Sequence, residues 1–217
     1  MENQNKLVKL LSTPPALRDL NWQNKVFELF KDAQLTLEDD TPRTGPDGMP
    51  YILASVKTDS KEPIRKLCQW LYEKGIGLVI NPQKDEADFV FSYGMIWSFL
   101  ATSNFIPNTE STERGKTIEI KEGQKYYFGD LTDQIIPNIP RELLKEFFGQ
   151  SKITDPKVKL MSVDQKSFDI CFSRESLDGL TEDEEKSLME KLSWFLPRHY
   201  SMAIVTTKNM PAEFMPL

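Results

Sequence analysis

One histidine, His199, and two cysteines, Cys68 and Cys171, are all that 217 residues offer of the side chains that bind transition metals or form disulfides. A single histidine excludes a two-histidine zinc site and the H-E-x-x-H pattern within one chain. Two widely spaced cysteines make neither a metal knuckle nor a disulfide framework. The opening "MENQNKLVKLLSTPPALRDL" carries no secretory h-region, so the expected compartment is the cytoplasm. No run approaches the ~18 apolar residues of a membrane span. A basic excess is also missing. The formal net charge is −6, spread evenly over the chain, so no nucleic-acid partner is expected and anionic membranes are repelled.

Further absences remove cofactor chemistries. The glycines of "GIGLVI" precede a strand instead of following one, and a third glycine is missing, so a dinucleotide fingerprint fails. No phosphate loop of the G-x-x-x-x-G-K-[ST] type occurs. "TEDEE" lacks the D-x-[DN]-x-[DN]-G spacing of a calcium loop, and its carboxylates suit the first turn of a helix. No cofactor and no metal is expected.

What is present suits a packed core: 39% hydrophobic and 28% charged residues. Helical spacing predicts a helix over 21–33, with Asn21 or Asn24 as cap, and another in "SKEPIRKLCQWLYEKG", where Ile64, Leu67, Cys68 and Leu71 form one stripe and Gly75 the stop. "LTLEDDTPRTGPDG" reads as a turn-rich linker. "MPYILASVKT", "IGLVI" and "ADFVFSY" read as strands, the last with Phe89, Phe91 and Tyr93 on one face. "MIWSFLA" fits a helix through Ile96, Phe99 and Leu100. Residues 107–115 read as a loop, "KTIEIKEGQKYYFG" as a hairpin turning at Glu122-Gly123, and "IPRELLKEFFG" as a helix from Pro140 that stops at Gly149. The remainder reads β-β-α-β. Thr181 and Glu184 have capping-box spacing, and Cys171 falls on the strand face opposite Phe168, Ile170 and Phe172. The expected fold is α+β, with an N-terminal subdomain over 1–150 and a C-terminal β-β-α-β subdomain over 151–217, joined near Ser151–Pro156.

Catalytic residues are harder to find. Ser92 stands at a strand end before Gly94, but a nucleophile elbow needs glycine where Val90 stands. Cys68 lies on an apolar stripe with nothing nearby to lower its pKa. His199 reads as a surface residue leading into the last strand. A cofactor-free hydrolase or transferase using Ser92 or Cys68 with His199 is therefore the alternative reading. The stronger signal is aromatic and apolar surplus. Tyr93, Trp97 and Phe105 sit in a segment apolar nearly all round, which is either buried on every side or turned to a partner. Phe214 and Met215 lie in the tail "NMPAEFMPL", too apolar for a solvated terminus; docking into a groove of its own chain or a neighbour's is expected. These five residues are the candidate interaction surface.

The stretch "KTIEIKEGQKYYFGDLTDQIIPNIPRELLKEFF", the following "VKLMSVDQKSFDICFS", and "FLPRHYSMAIV" together resemble the enhanced-serine-sensitivity (SseB-like) family. "FELFKDAQLTL" and "GIGLVINPQ" are similar to its opening helix and to its strand before an Asn-Pro turn. The resemblance spans about residues 22–207 and departs from the family at the inserted "TPRTGPDG". It implies a hairpin, Gly129, a short helix and a β-β-α-β terminal domain, and it carries over no catalytic signature. The favoured expectation is a non-enzymatic cytoplasmic interaction or regulatory module with a protein partner or self-association. An acidic secretion-type chaperone is a further alternative.

Overall fold

The computed structural model describes residues 2–83, 86–106, 125–177, 179–208 and 210–217. It has the expected α+β composition, with helices and two mixed sheets. The chain divides into compact units at Pro107/Asn108, where the sequence suggested a boundary at 150/151. The reason is a strand pairing. Residues 127–129 pair with the first strand of the β-β-α-β segment, which draws them and the helix after them into the second unit.

In the first unit, α1 (Glu2–Leu11) and α2 (Leu20–Phe30) precede β1 (Gln34–Leu37), β2 (Arg43–Thr44), β3 (Pro50–Ser55) and β4 (Glu62–Pro63). Then come α3 (Ile64–Lys74), β5 (Gly77–Ile80), β6 (Phe89–Phe91) and α4 (Tyr93–Thr102). The sheet runs β4-β1-β3-β5-β6, with β2 also on β3. Among the described residues of this sheet, only β3 and β5 are parallel, linked by the crossover through α3. Both are apolar almost throughout, as strands covered on both faces must be. Gly75 ends α3 in the left-handed region at φ 69°. Gly77 lets β5 pass Tyr51: a Cβ there would lie 2.6 Å from that ring and 2.9 Å from the Phe91 carbonyl oxygen.

Several elements differ from expectation. Tyr93, read with Phe89 and Phe91 on a strand face, opens α4 because Ser92 caps that helix, and Arg43–Thr44 of the expected linker form β2. Asp19, not Asn21 or Asn24, caps α2, accepting the Trp22 N–H at 2.7 Å. And "LTL" of the expected linker belongs to strand β1, which pairs with β3 and β4 and buries Leu35 in the core. The core joins Leu7 and Leu11 of α1, Val26 and Phe30 of α2, and the sheet. Its aromatic centre is Phe27, Phe30, Phe89, Phe91, Phe99 and Phe105, with Phe99 and Phe105 stacked at 4.3 Å.

In the second unit, β7 (Tyr127–Gly129), α5 (Asn138–Gln150), β8 (Lys157–Ser162) and β9 (Asp169–Ser173) are followed by α6 (Glu182–Phe195), β10 (Ser201–Val205) and β11 (Met215–Pro216). The order is β10-β9-β8-β11, and β7 pairs β8 on the β11 side. The β-β-α-β expectation is realised as the β8–β9 hairpin and a parallel β9–α6–β10 crossover. The capping box is formed: the Glu184 N–H donates to Thr181 Oγ1 and the Thr181 N–H to Glu184 Oε2. Gly149 lies inside α5, which continues to Gln150. The predicted loop over 107–115 and the hairpin turn at Glu122-Gly123 fall outside the described residues.

Strand β9 is buried on both faces. Phe172 packs on Phe148 of α5 at 5.6 Å, while Cys171 joins Met161, Val205 and Phe214 on the other side. Phe168 stands just before the strand and is exposed.

Candidate interaction groove

Four of the five expected surface residues, Tyr93, Trp97, Phe105 and Phe214, are buried. Tyr93 and Phe105 are 0% and 1% exposed, and Trp97 5%. Helix α4 explains this: every residue from Tyr93 to Phe99 is buried, so an all-round apolar helix has all-round cover. Tyr93 stacks on Tyr72 of α3 at 5.7 Å, and Phe105 on Phe99. The tail divides. Phe214 is buried and Met215 about half exposed, because β11 adds to the edge of β8 and alternates its side chains. The apolar tail therefore docks, and does so on its own unit.

The residues of the enzyme alternative occupy structural positions. Ser92 Oγ caps α4, accepting the Met95 N–H at 3.4 Å. Cys68 is fully buried on the α3 stripe, where desolvation pushes its thiol up to about 12. Cys171 is buried likewise and also raised to about 12, by desolvation and then by the Asp169 charge. A thiol so raised is protonated at neutral pH and a poor nucleophile. Ser92 and Cys68 belong to the first unit and His199 to the second. The His199 ring meets Tyr200 edge-on at 4.6 Å, and burial lowers its pKa, leaving a neutral imidazole at pH 7. Among the described residues, no group of three or more His, Cys, Asp or Glu side chains is placed to hold a metal, and no helix is long and apolar enough to cross a membrane.

An aromatic side chain part-exposed beside a surface groove lies on α3. Its stripe of Ile64, Leu67, Cys68 and Leu71 faces the core. Trp70 is outside that stripe and 37% exposed. With Leu100 of α4, it lines a shallow, open groove of about 570 Å³. Arg65 and Lys66 stand at one end and Glu73 at the other, about 12 Å apart along the helix axis. The Arg65 guanidinium is held over the Phe99 ring at 5.1 Å and donates to Ser103 Oγ at 2.7 Å. Lys66 pairs with Glu62 at 2.9 Å, and Gln69 donates to Glu73 at 3.0 Å. An apolar floor thus has a positive end and a negative end. A second groove of about 460 Å³, between α1 and α2, is floored by Leu10 and Leu29 and has no aromatic lining residue.

The sequence held a signal for the α3 groove that the candidate list did not use: a tryptophan on the polar side of an otherwise clean amphipathic helix. The groove itself was not legible, because Leu100 comes from a helix 30 positions further on.

Fold and groove together define an α+β chain of two units with an amphipathic, aromatic-floored groove on the first. No protein-family model, no curated protein and no solved structure matches the chain.

Proposed function

We propose that the chain is a non-enzymatic protein-interaction module whose α3–α4 groove receives a segment of a partner protein. The observation that carries this reading is Trp70, a large aromatic held part-exposed over a groove with charges of opposite sign at its two ends. Tryptophan buries much area at little entropic cost and dominates binding energy at such sites. The charge pattern selects the occupant: an apolar side chain against Trp70 and Leu100, an acidic residue toward Arg65 and Lys66, and a basic one toward Glu73. An SseB-like affiliation and a cytoplasmic location belong to the same proposal. The first is supported by the β8–β9–α6–β10 order; the second is supported by two cysteines that are free, buried thiols.

Selection of a displayed random-peptide library on the purified chain tests the reading. Enriched peptides should share a bulky apolar residue with an acidic neighbour on one side, and Trp70→Ser should no longer retain them while keeping the wild-type melting temperature. Enrichment of peptides that Trp70→Ser retains equally, or no enrichment at all, would overturn it.

A further inference from the structure

We infer that residues 208–217 form an exchangeable arm, and that two copies of this chain associate by trading it. Strands β10 and β11 lie at opposite edges of their sheet. The chain between them must therefore cross the sheet face, over β9 and β8, a distance of roughly 14 Å at the usual strand spacing. Residues 206–214 are nine residues, which can reach about 30 Å when extended. The crossing has slack.

The arm is held at both ends and lightly between. At its base, the Thr207 N–H donates to Glu175 at 2.9 Å and its hydroxyl to the same carboxylate at 2.7 Å. That clamp fixes where the arm leaves the unit. At its tip, β11 has two paired residues, Met215 with Val158 and Pro216 with Lys157, and the Leu217 N–H donates to the Pro156 carbonyl at 2.9 Å. Phe214 and Leu217 are each 6% exposed, whereas Lys208, Pro211 and Glu213 are exposed. Between these ends, the described anchors are the Met210 N–H, which donates to the Thr207 carbonyl at 2.9 Å, and the Met210 side chain, which packs on the Cys171 cluster. With a tip strand of only two paired residues, the arm lies toward the low-stability end of the unit.

Lifting the arm uncovers Met161, Cys171 and Val205 and frees the edge of β8 at 156–158. This is an apolar face beside an unpaired strand edge, the surface most prone to recruit another chain. Its occupant is stated by the structure: the segment that fits is the one now seated there, and a second copy carries the same segment. Slack in residues 206–214 lets the tip reach a neighbour while Thr207 stays clamped. Reciprocal exchange closes as a two-fold dimer, with each groove filled by the other chain's Phe214 and Leu217.

The test uses the full-length chain in two differently tagged single variants, Val158→Cys and Met215→Cys, concentrated together under mild oxidation. Val158 is the register partner of Met215 across β8 and β11, so a disulfide between the two positions reports a seated tip. Exchange predicts a disulfide-linked species carrying both tags, at twice the 25.1 kDa chain mass, that grows with protein concentration and disappears when Phe214→Asp is added to the Met215→Cys chain. The double variant Val158→Cys/Met215→Cys should cross-link internally when dilute. If it does so while the mixed single variants stay at 25.1 kDa at every concentration, the arm does not exchange and the inference is wrong. Failure of the internal cross-link contradicts the pairing on which it rests.

Discussion

Arg18 Nη2 donates to Asp88 Oδ1 at 2.7 Å, joining the turn between α1 and α2 to the chain between β5 and β6. The Asp88 side chain is wholly buried, and Asn81 Nδ2 donates to its other oxygen at 2.6 Å. Arg18 also donates to the Leu11 and Thr13 carbonyls and lies over the Trp22 ring at 4.7 Å. Asn81 adopts φ 53° and accepts the Val56 N–H, so the same asparagine secures the ends of β3 and β5. Removing one partner of such a pair strands a buried charge. Arg18→Leu should lose about 3–5 kcal/mol of stability by urea unfolding, and adding Asp88→Asn should recover a substantial part of it. A loss below about 1 kcal/mol would mean that the pair is solvated, as surface pairs are.

Stability should fall in acid partly through Glu175. Hydrogen bonds from the Thr207 hydroxyl first, then from the Thr207 N–H and Ser173, hold its carboxyl down to about 2 from the ordinary 4.5. A folded-state pKa below the unfolded one means that the unfolded chain binds the proton more readily. The contribution is therefore complete above the unfolded value and is lost as pH falls from about 4.5 toward 2. Urea midpoints of the wild type and Glu175→Gln should differ at pH 7 and converge near pH 2. A gap that stays constant with pH would assign the difference to packing.

Neither native cysteine should react quickly with a disulfide reagent at pH 7. Both thiols are buried and both are pushed up to about 12. In urea, two thiols per chain should titrate at once. One fast thiol in the folded protein would restore Cys68 or Cys171 as a nucleophile.

Legibility in the sequence followed the range of the interactions. The α3 stripe, Gly75, the Thr181–Glu184 capping box and the β8–β9 hairpin all depend on residues a few positions apart, and each was readable. Strand β1 was not: "QLTL" precedes a cluster of turn formers, and its strand character comes from pairing with β3 and β4. The pairing of β7 with β8, 31 to 35 positions away, was not readable either; the local hairpin expected for β7 has its other strand and its turn outside the described residues. At the candidate site, aromatic density pointed to Tyr93, Trp97 and Phe105, which fill the interior. The exposed tryptophan was Trp70, and what marked it was its place on the wrong side of its helix rather than the company of other aromatics.

The central claim is that Trp70 anchors a protein partner in the α3–α4 groove. Its most direct test is the dissociation constant of a library-selected peptide, measured by titration calorimetry against the wild type and Trp70→Ser. An anchor worth about 2 kcal/mol predicts a loss of roughly 30-fold with an unchanged melting temperature. Equal affinity for the two proteins would contradict the account.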